Sequence, residues 1–262
     1  AQTHHALTGS RYAGSMGMYQ NPASTLSSAD TTDFSLSSLH FNNYTNFINL
    51  GFAPLLKKNP TFTLQPTTGD YPRELLANLN LNVLSIKHKI SEKTAVGFGI
   101  NLRSMMNLNT SHYNLTDSSN DIFYFLDQNS NSLPFKGSGL SSTWVEYVLN
   151  VSHNVIDNRK ILFNLGGNSR INRGVVGLAG SLGNFQYQKY DFLGIETYKI
   201  TNADFLYAYP TTITSWDKNL RFKDNLNHVK SNMKTGASLD LGAELLIKNE
   251  KNADWFYEGL DY

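Results

Sequence analysis

A chain that keeps a two-residue hydrophobic period for ten or more residues commits that stretch to an extended strand, because only there do residues i and i+2 share a face. The period is plain from Thr94 to Met106. Val96, Phe98, Ile100 and Leu102 fall on one side, and Ala95, Gly97, Gly99, Asn101 and Arg103 on the other. Just upstream, Leu84, Ile86, His88 and Ile90 alternate with Ser85, Lys87 and Lys89, and Ser91-Glu92-Lys93 leaves room only for a hairpin turn. A second hairpin sets Val145, Tyr147, Leu149, Val151 and Val155 against Glu146, Asn150, Ser152 and Asn154. It turns at Asp157-Asn158-Arg159 and returns through Ile161, Phe163 and Leu165 opposite Asn164, Gly166, Asn168 and Arg170. A late strand, Thr235 to Ile247, places Leu239, Leu241 and Leu245 against Asp240, Gly242 and Glu244. Near the start, Phe34 and Leu36, then Leu39 and Phe41, mark a strand whose phase slips at Ser37-Ser38, as a bulge would make it.

These runs are longer than the five or six residues of an average soluble strand and match the roughly 9–11 that a tilted strand needs to cross a bilayer. Composition points the same way. Only 16% of residues are charged, 12% are aromatic, and about thirty asparagines fill the polar positions. The expected fold is therefore all-β, an antiparallel transmembrane β-barrel of outer-membrane type. A secreted β-sandwich has a similar composition and is the competing fold; strand length favours the barrel. Val96, Phe98, Ile100, Leu102, Val145, Tyr147, Leu149, Val151, Leu239, Leu241 and Leu245 are then lipid-facing. Arg103, Glu146, Asn150, Arg170, Asp240 and Glu244 face the lumen, where Asp240 and Glu244 are placed to pair with Arg103 or Arg170.

About eight to ten strands are expected over residues 31–262, with long polar loops near 107–141 and 189–232 and short turns after Ile90 and Ile156. Glu74-Leu75-Leu76-Ala77 reads as a single helical turn. Residues 1–30 carry no period; they form an N-terminal arm or plug, in which Pro22 holds Asn21 out of the helical region. The opening Ala1-Gln2-Thr3 suits a chain whose signal peptide has been removed, and no run approaches the length of a membrane helix.

Several function classes drop out. A net charge of +1 is too small for nucleic-acid binding driven by phosphate neutralisation, and the lack of cysteine removes disulfide scaffolds, zinc ribbons and thiol nucleophiles. Ser152 and His153 are neighbours on a strand and point to opposite faces, so they cannot act as nucleophile and base, even with Asp157 nearby. Asp117, Asp121 and Asp127 lack calcium-loop order and its turn glycine. His4-His5 forms at most an adventitious metal site. Gly166-Gly167, Gly177, Gly180 and Gly183 lack phosphate-loop spacing and suit curvature or close backbone packing. No catalytic residue, cofactor site or metal site is expected.

Short motifs in a fixed order add a resemblance. Tyr12-Ala13-Gly14 and Tyr19-Gln20-Asn21-Pro22-Ala23-Ser24 are followed by Trp144-Val145-Glu146-Tyr147, a turn at Val155-Ile156-Asp157, and Leu162 to Gly167. Arg173-Gly174-Val175-Val176-Gly177 and Leu239-Asp240-Leu241-Gly242-Ala243-Glu244 complete the set. Together they resemble a family of Bacteroidota outer-membrane β-barrel proteins of unknown function, often found ahead of an OmpA-like peptidoglycan-binding domain. Members run on past the Leu-Asp-Leu-Gly strand, so the resemblance implies a barrel that is incomplete in this chain. Asn21-Pro22-Ala23 is also similar to the start of FadL-like transporters and of their relatives in secretion complexes, whose N-terminal arm lies inside the barrel.

The expected role is a non-enzymatic outer-membrane barrel in the bacterial envelope, embedded in lipid and lipopolysaccharide and serving as an accessory subunit alongside other outer-membrane or periplasmic proteins. A FadL-like channel for hydrophobic or small solutes is the alternative.

Overall fold

The computed structural model describes residues 13–51, 63–116, 121–210 and 217–247. Most of them belong to one antiparallel sheet. In chain order its strands are β1 (Thr32–Thr45), β4 (Gly69–Ser91), β5 (Thr94–Leu115), β6 (Phe135–Asp157), β7 (Ile161–Phe192), β8 (Ile195–Ala208) and β9 (Thr235–Ile247). A separate hairpin joins β2 (Ile48–Gly51) to β3 (Thr63–Pro66). The spatial order is β1-β4-β5-β6-β7-β8, with β9 also on β7. β7 has 32 residues and so holds two partners: β9 along Ile161–Arg173 and β8 along Ala179–Phe192. The chain leaves the wall between them, and that excursion contains α2 (Phe222–Asn232). No pairing of β1 with β9 occurs among the described residues.

The hairpin turns fall where the alternation breaks. Two residues join β4 to β5, and Asn158-Arg159-Lys160 joins β6 to β7. The slip at Ser37 is also present. Ser37 adopts a left-handed φ of 56°, and Val83, beside it on β4, is an extra residue relative to β5. The two irregularities sit side by side, so β1 and β4 shift phase together and keep their own register from Thr32↔His88 to Thr45↔Leu75.

Three expectations are corrected. Glu74–Ala77 is strand, with Leu75 opposite Leu108. Within 107–141, β5 continues to Leu115 and β6 resumes at Phe135; only the segment between them, with α1 (Ile122–Gln128), leaves the ladder. Within 189–232, β7 and β8 form a hairpin with a two-residue turn at Leu193-Gly194. The reason is common to the last two. In these stretches polar residues such as Asn, Ser and Thr occupy positions on both faces of the ladder. The backbone hydrogen bonds persist while the alternation that marks a strand disappears. Tyr113, Phe125, Phe135, Phe185 and Tyr187 form a chain of edge, tilted and stacked ring contacts that ties α1 to this outer part of the sheet. Lys189 bonds Asp127 and thereby holds its carboxyl below the usual aspartate range.

Candidate functional site

Residues 13–30 form two 3-10 turns, Gly14–Tyr19 and Pro22–Thr25, and touch strands from β1 at one side of the sheet to β9 at the other. A segment this short reaches both sides only because the sheet curls round it. Asn21 is extended (φ −143°) ahead of Pro22 and caps the second turn by accepting from the Ala23 N–H. Residues 1–12, with His4 and His5, lie outside the described residues.

The inner face that receives the arm is polar and buried. Asn150 donates to the Pro22 carbonyl at 3.0 Å and accepts from the Thr25 hydroxyl at 2.8 Å. Asn168 donates to the Met18 carbonyl at 2.7 Å, and Asn21 donates to the Ala243 carbonyl at 3.0 Å. Lys87 bonds Ser28 at 2.8 Å and also the Asp30 carbonyl. The arm's aromatic anchor is Tyr19, whose hydroxyl sits 2.9 Å from Ser85 and 3.1 Å from Asn82. Asparagines run in cross-strand pairs behind these contacts: Asn82–Asn101 at 2.8 Å, Asn150–Asn168 at 2.7 Å and Asn154–Asn164 at 2.7 Å. Removing the Tyr19 hydroxyl leaves the buried Ser85 and Asn82 short of a partner. Tyr19→Phe should therefore lower stability by about 1–2 kcal/mol in urea titration of the detergent-solubilised chain.

Glycine supplies the remaining fit. A Cβ at Gly166 would stand 2.4 Å from the backbone of Pro22 and Ala23, and one at Gly99 would stand 1.8 Å from the Tyr19 hydroxyl. No other residue permits so close an approach.

Beyond the arm lies an ion network. Glu146 is nearly fully buried and receives Arg170 at 3.2 Å and Arg103 at 3.2 Å, while Asn101 donates to it at 3.0 Å. Arg170 also pairs with Asp240. The pairing expected for Asp240 with Arg170 is present. Glu244 instead accepts from Ser27 and Asn164, and Arg103 goes to Glu146. The four ionic side chains and Trp144 line an open recess of about 660 Å³.

The six residues expected on the inner side, Arg103, Glu146, Asn150, Arg170, Asp240 and Glu244, share this face. Val96, Phe98, Ile100, Leu102, Val145, Tyr147, Leu149, Val151, Leu239, Leu241 and Leu245 lie on the opposite one. Leu149 and Val151 are more than half exposed there and Leu241 is 80% exposed. Ser152 is buried against Thr25, whereas His153 is exposed and bonds Thr94, so the two remain on opposite faces. Lys87 and Asn82, which hold the arm, were not singled out from the sequence. Their only signal is that they are polar residues interleaved with an apolar face. Among the described residues no group of three or more His, Asp or Glu is gathered for a metal ion. Comparison with models of known protein families, with curated proteins and with solved structures finds no match.

Proposed function

We propose that this chain forms the wall of an outer-membrane β-barrel whose interior is filled by its own N-terminal arm, and that it works without catalysis as an accessory subunit of an envelope or secretion assembly. The observation that carries the reading is the reversal of polarity. The exposed outer face is built of Phe34, Leu36, Leu39, Phe41, Leu149, Val151, Leu241 and their neighbours, while the buried inner face is built of Asn, Ser, Lys, Glu and Arg. Each large aliphatic left in water forfeits about 1.5–3 kcal/mol, so a solvated outer face of this extent amounts to tens of kcal/mol. Surrounded by acyl chains, the same face is at its favourable partition.

Two further features fit this setting. The outer face turns polar at one level, where Thr32 bonds His88 at 2.8 Å and Thr94 bonds His153 at 2.9 Å, just before the charged turns. Strands of 22 and 23 residues exceed the roughly 9–11 needed for crossing, which leaves their far ends to project beyond the bilayer. Among the described residues β1 pairs only with β4 and β9 only with β7, and in lipid the wall must close across that gap.

An arm hydrogen-bonded to β4, β6, β7 and β9 suits both an accessory barrel and a FadL-like channel, so the lining decides between them. The polar lining offers a hydrophobic solute little surface. The test is reconstitution in planar bilayers together with co-purification from native membranes. The expected result is a silent bilayer and a stoichiometric partner. Solute-dependent conductance by the intact chain would favour the channel, and isolation as a lone monomer would remove the accessory role.

The outer face itself is tested by Leu149→Arg. A guanidinium there should destabilise the bilayer-inserted state by about 2–4 kcal/mol, read from folding titrations into lipid vesicles. Were the face solvated, the same change would be neutral.

A further inference from the structure

Beyond the arm the inner face keeps polar groups that the fold does not use. The asparagines at 82 and 101, 150 and 168, and 154 and 164 bond one another across strands, but Asn80 and Asn172 belong to no such pair. Among the described residues, Asn80 Oδ1 on β4, Arg103 Nε on β5, and Asn172 Oδ1 and Arg170 Nε on β7 are buried without a hydrogen-bond partner. A buried polar atom without a partner lowers stability, so acceptors and donors left over together need a reason outside the sheet's own bonding.

These groups surround one space. Asn80, Arg103 and Trp144 stand in a row, each opposite the next across β4, β5 and β6. Arg103 and Trp144 line both the recess of about 660 Å³, which extends over β7 and β9, and a second of about 420 Å³, which extends over β4 and β1. Asn172 lines the first and Asn80 the second. Both lie on the side of the arm away from the short turns at Glu92-Lys93 and Asn158-Arg159-Lys160. The row is fixed to the arm beneath it: Arg103 pairs with Glu146, which accepts from Asn101, which accepts from Asn82, which donates to the Tyr19 hydroxyl.

We propose that these joined recesses bind a neutral oligosaccharide, with Trp144 as the platform for a sugar ring and the arm as the floor. This rests on the reading of an arm-filled barrel, whose short turns face the periplasm and whose recesses therefore open to the cell exterior. The leftover atoms set the ligand class. A carboxylate or sulfate only accepts, so it leaves the Asn80 and Asn172 oxygens unpaired, and it meets Glu146 and Asp240, which already balance Arg103 and Arg170. Lys234, the one further charged side chain lining the larger recess, is exposed. A cation meets the two guanidiniums, and an apolar ligand satisfies neither kind of atom. A hydroxyl both donates and accepts, so neighbouring hydroxyls can bond an asparagine oxygen and a guanidinium at once. The C–H face of the same ring covers the flat apolar body of the indole. The space suits a ligand of this size, since small-molecule sites run to roughly 300–1,000 Å³.

The test applies the full chain, in a detergent without a sugar headgroup, to an array of neutral, sulfated and uronic-acid di- and trisaccharides, and measures any hit by calorimetry. The expected result is binding of a neutral saccharide that weakens by about tenfold or more in Trp144→Ala and in Asn80→Leu. Asn80→Leu also separates a ligand group from a structural one. It removes an unpaired buried oxygen, so its urea midpoint should hold or rise while binding falls. A fall in that midpoint would assign Asn80 to the fold, through an ordered water, and overturn its role here. No hit, hits confined to the acidic saccharides, or unchanged binding by Trp144→Ala would each overturn the site. Protease protection of residues 13–30 in the wild-type chain tells the two failures apart. A protected arm without saccharide binding leaves the arm-filled barrel standing; an unprotected arm removes the barrel reading and the floor of the site with it.

Discussion

Gly166→Val should unseat the arm. The new side chain needs space already occupied by the Pro22 and Ala23 backbone, and main chain cannot move aside as a flexible side chain would. Overpacking of a fitted interior costs about 1–3 kcal/mol, and displacement of the arm forfeits its hydrogen bonds to Asn150, Asn168 and Ala243, each contributing about 0.5–1.5 kcal/mol. The sheet ladder does not depend on the arm, so the wall should survive while residues 13–30 become sensitive to protease. In a planar bilayer the variant should conduct where the parent is silent. Gly167→Val is the internal control. A Cβ there meets its nearest atoms at 3.6 Å, an ordinary contact, and the arm should stay seated.

Glu146→Ala should have the second large effect. One buried carboxylate at the base of the open recess serves two guanidiniums and one amide, so its removal leaves Arg103 without its ionic partner and Arg170 with Asp240 alone. Removing one member of a buried ion pair costs about 3–5 kcal/mol, because the remaining charge stays desolvated. The midpoint for urea unfolding in detergent should fall accordingly. Glu146→Ala combined with Arg103→Met should recover part of the loss, since the second change removes the stranded cation. A double variant no more stable than the single one would mean that Arg103 does not depend on Glu146.

The sequence displayed whatever the apolar outer face dictates and little of what the arm dictates. Val96 through Leu102 had to alternate because one side is apolar throughout, and Ser37 had to break the period because β1 changes phase there. The glycines at 166 and 167 suggested close backbone packing, but nothing in the string says that Pro22 is the backbone that approaches. What the arm offers the sheet is largely its own main-chain carbonyls, at Met18, Pro22 and Asp30, which accept from Asn168, Asn150 and Lys87, and a carbonyl has no residue signature. Ion pairing was half legible for a related reason. Arg170 and Asp240 lie on adjacent strands and were suggested together. Arg103 and Glu146 meet diagonally across β5 and β6, Arg103 lying opposite Trp144 and Glu146 opposite Asn101, and choosing between Glu146 and Glu244 requires the register. The outer ladders were hidden because polar residues such as Asn, Ser and Thr occupy both of their faces and interrupt the alternation.

The lack of cysteine makes a direct test of the outer face simple, because any introduced thiol is unique. Nitroxide labels placed singly at 147 through 151 on β6, with the chain in phospholipid vesicles, can be read for collision with oxygen, which concentrates in acyl chains, and with a water-soluble nickel chelate. Labels at 147, 149 and 151 should collide strongly with oxygen and weakly with nickel, and those at 148 and 150 weakly with both. Strong nickel collision at 147, 149 and 151 would place that face in water and contradict a membrane-embedded wall.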